Sequence, residues 1–148
     1  MRRRCNQGRI LVNTPEPGRV SPETLAVFGA QRTAIIRAVI ARAMEGDDGA
    51  NQYGSQTEQF LTVGLDFTTQ ALEVTMQLHN LEMLDIQLRW ANERLPHDGV
   101  QPDHLLKRYE ILAQVVETAL PAPHAQAVNQ FVQWMIARQR ELIQAKNT

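Results

Sequence analysis

The sequence holds one cysteine, Cys5, and two serines, Ser21 and Ser55. A single thiol excludes an internal disulfide framework, and structural zinc needs several Cys and His at short spacing. The four histidines, His79, His97, His104 and His124, are scattered. There is no G-x-S-x-G nucleophile turn and no glycine-rich phosphate loop. No Glu is followed three residues later by His, which excludes the Glu-x-x-His pattern of di-iron carboxylate bundles. No catalytic residue, metal or cofactor is therefore expected, and the chain does not read as an enzyme. No apolar run approaches the ~18 residues of a membrane span. Arg2, Arg3 and Arg4 begin like a signal peptide, but Cys5 to Arg9 is polar and Ile10 to Val12 is too short for its apolar region. A cytoplasmic protein without membrane contact is expected. The formal net charge of −1 leaves no global field to gather nucleic acid.

What is present is helical periodicity throughout. A chain of 148 residues, 43% hydrophobic and 21% charged, suits one globular domain that folds without a metal or disulfide. Residues 1–20 carry five arginines, one acid and two prolines, and read as a flexible basic N-terminal arm. A tail of this kind supports nucleic-acid contact only weakly. The domain proper is expected over 21–148. Ser21 is a good N-cap, Pro22 suits the first helical position, and Leu25, Phe28, Ile35, Ile36, Val39 and Ile40 recur at helical spacing. A third helix is expected from about Leu81 to Leu95, closed by the turn Pro96-His97-Asp98-Gly99. A fourth opens at Gln101-Pro102-Asp103, and Pro121-Ala122-Pro123 separates it from a fifth. About five helices with short links make an all-α antiparallel bundle or a globin-like packing, with helices four and five antiparallel neighbours.

The second helix stands apart. From Gln52 to Asn80 there is no Lys or Arg; Glu58, Asp66 and Glu73 are the only charges. One apolar stripe is Phe60, Val63, Gly64, Phe67, Ala71, Val74 and Leu78; another is Leu61, Leu65, Leu72 and Met76. A helix apolar on more than one face is either central in its bundle or meets another subunit. Phe60, Val63, Gly64, Phe67, Ala71, Val74 and Trp90 are the candidate interface residues. Asp66, if buried, needs a cation such as Arg32, Arg37 or Arg89, because an unpaired buried carboxylate is costly. Glu82 and Asp85, three apart, are spaced to meet on one helix face. A tetrapyrrole ligand would have to be a buried His facing an apolar pocket, and His79 and His104 are the candidates for that place.

The stretch Leu88-Arg89-Trp90-Ala91-Asn92-Glu93-Arg94-Leu95-Pro96-His97-Asp98-Gly99-Val100, followed by Leu105-Leu106-Lys107-Arg108-Tyr109-Glu110-Ile111-Leu112, resembles the non-haem globin-like sensor domains of bacterial stressosome-type regulators. The likeness covers about 60 residues and otherwise only the order of helices. It implies a dimeric domain that senses a signal or small ligand and passes it on. In that family an output domain follows; with nothing after Thr148, the resemblance implies a stand-alone sensor or adaptor, or a fragment. No position matches a haem-ligating histidine. The expected function is that of a non-enzymatic regulatory or sensory domain acting through homodimerisation or a protein partner. Two alternatives are a carrier binding haem, another tetrapyrrole or a fatty acid between helices, and a nucleic-acid accessory protein using the basic arm.

Overall fold

A computed structural model of the chain describes residues 14–46 and 54–147. Within them lie five α-helices: α1 (Pro22–Glu45), α2 (Thr57–Leu78), α3 (Leu81–Arg94), α4 (Pro102–Ala119) and α5 (Ala122–Lys146). Short 3-10 turns, Gly54–Gln56 and Leu95–Asp98, precede α2 and follow α3. The described residues contain no strand.

Local chemistry sets most of these boundaries. The Ser21 hydroxyl accepts the Thr24 backbone N–H at 3.1 Å, with Pro22 at the first position of α1. The His79-Asn80 join is a full break between two helices. His79 takes the left-handed conformation at φ 50, and its N–H closes on Thr75. Asn80 then caps α3, its side-chain oxygen accepting the Glu82 N–H at 3.0 Å. After α3, Gly99 at φ 89 makes the reversal that a side chain would resist. Pro102 opens α4, and α5 begins directly after Leu120-Pro121.

That short link folds α4 and α5 against each other. Asn129 Nδ2 donates to the Ala113 carbonyl at 3.0 Å, and Arg140 pairs with Glu110 at 2.9 Å, an antiparallel pattern. α1 lies antiparallel to α2 and also packs on α4, while α3 packs on α2 and α5. The shared core holds Phe28, Ile35 and Val39 of α1, Leu72 and Met76 of α2, Leu84 and Leu88 of α3, Leu112 and Val116 of α4, and Phe131 and Met135 of α5. Trp134 is buried with them. Of the described helices α1 is long and apolar enough, by length and composition, to cross a membrane. Its fully buried Phe28, Ile35 and Val39 give that apolarity a place inside the bundle.

Residues 1–13 of the expected arm lie outside the described residues. Residues 14–20 run beside α5: Pro17 is buried, and the Gly18 N–H donates to Gln130 Oε1 at 3.1 Å.

The α2–α3 face as candidate interaction site

Of its two apolar stripes, α2 buries one. Leu61, Leu65, Leu72 and Met76 face the core, whereas Phe60, Val63, Gly64, Phe67, Val74 and Leu78 face outward. α2 is therefore an edge helix with a second apolar side. Phe67 is 60% exposed and Leu78 61%. On α3, Met83, Ile86 and Trp90 form a like stripe, with Trp90 54% exposed. All the exposed large hydrophobic residues of the described chain sit on these two helices. Single exposed apolar side chains are ordinary, but a contiguous set of them marks an interaction surface.

Several polar groups of α2 are occupied within the chain, whereas the buried Thr75 hydroxyl has no hydrogen-bond partner. Thr62, Thr68 and Thr69 hydroxyls donate to the carbonyls of Glu58, Gly64 and Leu65, one turn back. Asp66 takes the Arg32 guanidinium at 2.8 Å and the Gln70 amide at 3.0 Å, and Arg32 also reaches Thr69 at 3.2 Å. Of the three cations the sequence allowed for Asp66, Arg32 is the partner, across α1 and α2. No charged residue stands in the outward stripe itself.

Between α2, α3 and the start of α4 lies an apolar groove of ≈ 240 Å³. Phe60, Gly64 and Phe67 form one wall, Trp90 another, and Val100, Leu105 and Tyr109 the floor, with Arg108 and Asp98 among the polar lining. Burial pushes the Tyr109 phenol well above its ordinary pKa, against the opposing charge of Arg108. Two more open depressions lie along α4 and α5, one of ≈ 780 Å³ that also borders Thr14 to Glu16 and one of ≈ 460 Å³.

Neither candidate tetrapyrrole histidine lines the groove. His79 caps α2, meets Phe131 edge-on at 6.4 Å between ring centres, and keeps a buried Nδ1 without a hydrogen-bond partner. His104 sits in the first turn of α4, where its Nδ1 receives the Gln101 N–H at 3.4 Å. His124 ties the two helix starts together: its Nδ1 shares a 2.7 Å hydrogen bond with Thr24. Among the described residues no three His, Cys, Asp or Glu side chains converge as a metal site. The arm that a nucleic acid would contact falls mostly on residues outside those described.

Behind the face, α3 is anchored by polar groups that periodicity does not single out. Asp85 is buried and takes the guanidinium of Arg138 from α5, with Arg89 at 3.0 Å on its other oxygen. Burial opposes the charge of Arg138, but its hydrogen bond to Asp85, the Asp85 charge and Glu141 outweigh that and raise its pKa. Glu82, the neighbour expected to share a face with Asp85, stays exposed. Two turns further along α3, Asn92 and the fully buried Gln139 join α3 to α5, and Gln139 also donates to the Pro102 carbonyl at 3.0 Å. Sequence reasoning passed over Asp85, Asn92, Arg138 and Gln139 as site supports. The one available signal was that each interrupts an apolar helix stripe.

No protein-family model matches the chain, and no curated protein or solved structure is significantly similar to it.

Proposed function

We propose that the chain is a non-enzymatic regulatory or sensory helical domain that works through its α2–α3 face, by self-association or by binding a protein partner. The observation behind this reading is the confinement of the exposed large apolar side chains to α2 and α3. The polar ties from Asp85 and Asn92 to α5 add a route for output. They hold α3 by directional bonds, so a partner that shifts α3 must strain or re-pair them. Small helix shifts of this kind carry signals across interfaces in other proteins. The resemblance of residues 88–112 to globin-like sensor domains agrees with such a role. A photoreactive amino acid placed at Phe67 or Val74 in the chain produced in cells tests it. Adducts there, and none from Gln126 on α5, are expected. A face that yields no more adduct than Gln126 removes the reading.

The groove supports a second reading, a carrier or sensor of a small apolar ligand. Its ≈ 240 Å³ is just below the usual volume of drug-sized sites, so it suits a short acyl chain or small ring better than a tetrapyrrole. Mass spectrometry of an organic extract of protein purified from cells should then release one such molecule. Protein that yields no bound apolar molecule counts against it.

A further inference from the structure

The outward stripe of α2 has a stricter pattern than apolar exposure requires. Phe60, Gly64, Phe67, Ala71, Val74 and Leu78 alternate in steps of four and three, the heptad spacing of a helix–helix seam, with Ala71 half-buried at its inner edge. Large residues occupy one position of the repeat, Phe60, Phe67 and Val74. The other starts with the two small residues Gly64 and Ala71 and ends with Leu78. Space over Gly64 is open: a Cβ built there meets nothing within 4 Å. Val63, Gln70 and Gln77, all uncharged, flank the seam on its open side; on the other side Leu61 and Thr75 are buried in the chain's own core.

We infer that the occupant of this face is a second copy of the same chain, its α2 antiparallel to the first about a two-fold axis level with Thr69. This rests on the preceding reading and names the partner. In that register Phe67 meets the partner's Ala71, Val74 meets the partner's Gly64, and Leu78 meets the partner's Phe60. Each inner layer sets a large side chain against a small one, and the two-fold axis repeats both matches. An isologous interface demands this self-complementarity; an unrelated partner does not. A parallel pairing would set Gly64 against Gly64 and Phe67 against Phe67, leaving one layer empty and the next overfilled. No like charges meet along the seam, because Glu58, Asp66 and Glu73 lie off it. Met83, Ile86 and Trp90 of α3 extend the apolar area beside it. With α2 (22 residues) about 33 Å long, α3 (14 residues) about 21 Å long and each about 10 Å wide, the face covers about 540 Å². A specific interface needs at least about 500 Å² from each partner.

Light scattering on the full chain at high micromolar concentration should show a dimer. Gly64→Leu fills the gap opposite Val74 and should weaken that dimer at least about tenfold, with helix content by circular dichroism unchanged. Adding Val74→Ala to Gly64→Leu should restore it. In a Cys5→Ser background, Val63→Cys and Gln77→Cys chains should form a mixed disulfide when combined, and neither should link to itself. In this register two copies of either position stand roughly 18–24 Å apart along the axis. A dimer indifferent to Gly64→Leu, or a Val63→Cys chain that links to itself, overturns the antiparallel register. A strict monomer overturns the second copy. If that monomer gives Phe67 adducts to a different protein in cells, the general reading of the face survives; if it gives none, both fall.

Discussion

The side-chain amides of Asn92 and Gln139 face each other across α3 and α5 and exchange two hydrogen bonds, at 2.7 and 2.9 Å. Asn92 also donates to the Leu88 carbonyl at 2.7 Å, and Gln139 to Pro102 at 3.0 Å, so both amide NH₂ groups are doubly engaged. Buried polar groups so engaged fix one arrangement of three elements: α3, α5 and the start of α4.

Gln139→Leu should therefore destabilise the fold by about 1–3 kcal/mol, because it strands the Asn92 amide in the core. The double variant Asn92→Leu/Gln139→Leu should recover much of that loss. Urea denaturation of the four proteins of the cycle measures the coupling; additive single losses would mean that the pair does not act as a unit.

Asp85 and Arg138 form the ionic counterpart of this link. Arg138→Met leaves a carboxylate that is 4% exposed facing only Arg89, and should cost about 3 kcal/mol. Asp85→Leu combined with Arg138→Met should sit much closer to wild type than either alone. Thermal melts of the series test this, and equal melting points for wild type and Arg138→Met would refute it.

The Arg32–Asp66 pair is different because Asp66 is about half exposed. Asp66→Ala should change stability by no more than about 1 kcal/mol, and the difference should shrink in 1 M salt. A larger, salt-independent loss would show that the pair does more than orient α2 on α1.

Tyr109 predicts the alkaline limit of the fold. Its pKa is raised in the folded state by burial, so the folded chain holds the phenol proton more tightly than the unfolded chain does. The stabilisation is complete below the ordinary phenol value of about 10 and is lost as pH climbs above it. Absorbance at 295 nm should show Tyr109 ionising only together with the loss of helix, and Tyr109→Phe should remove that late step. Ionisation of Tyr109 with the helices intact would contradict its burial.

Much of the architecture was legible in local signals. Ser21-Pro22, Gln101-Pro102 and Pro121 mark helix starts because they act within one turn of chain, whatever the rest of the molecule does. Periodicity alone does not decide between a break and a kink at His79-Asn80, because the apolar stripes run up to Leu78 and resume at Leu81. The left-handed conformation of His79 and the Asn80 cap resolve it as a break. The buried polar set was not legible, since Asn92 and Gln139 are 47 residues apart and each alone looks like a surface amide.

By itself the sequence determined that α2 carries two apolar stripes and no cation; the structure leaves Phe60, Val63, Gly64, Phe67, Val74 and Trp90 exposed and packs Ala71 partly against the core. Only the tertiary structure decided which stripe goes inside. The two are nearly matched in apolar content, so hydrophobicity alone does not choose between them. The choice follows from neighbours distant in sequence. Arg32 of α1 draws Asp66 to its side, and the core offered by α1, α3 and α5 takes Leu61, Leu65, Leu72 and Met76. The stripe bearing Phe67 and Leu78 is left to face outward.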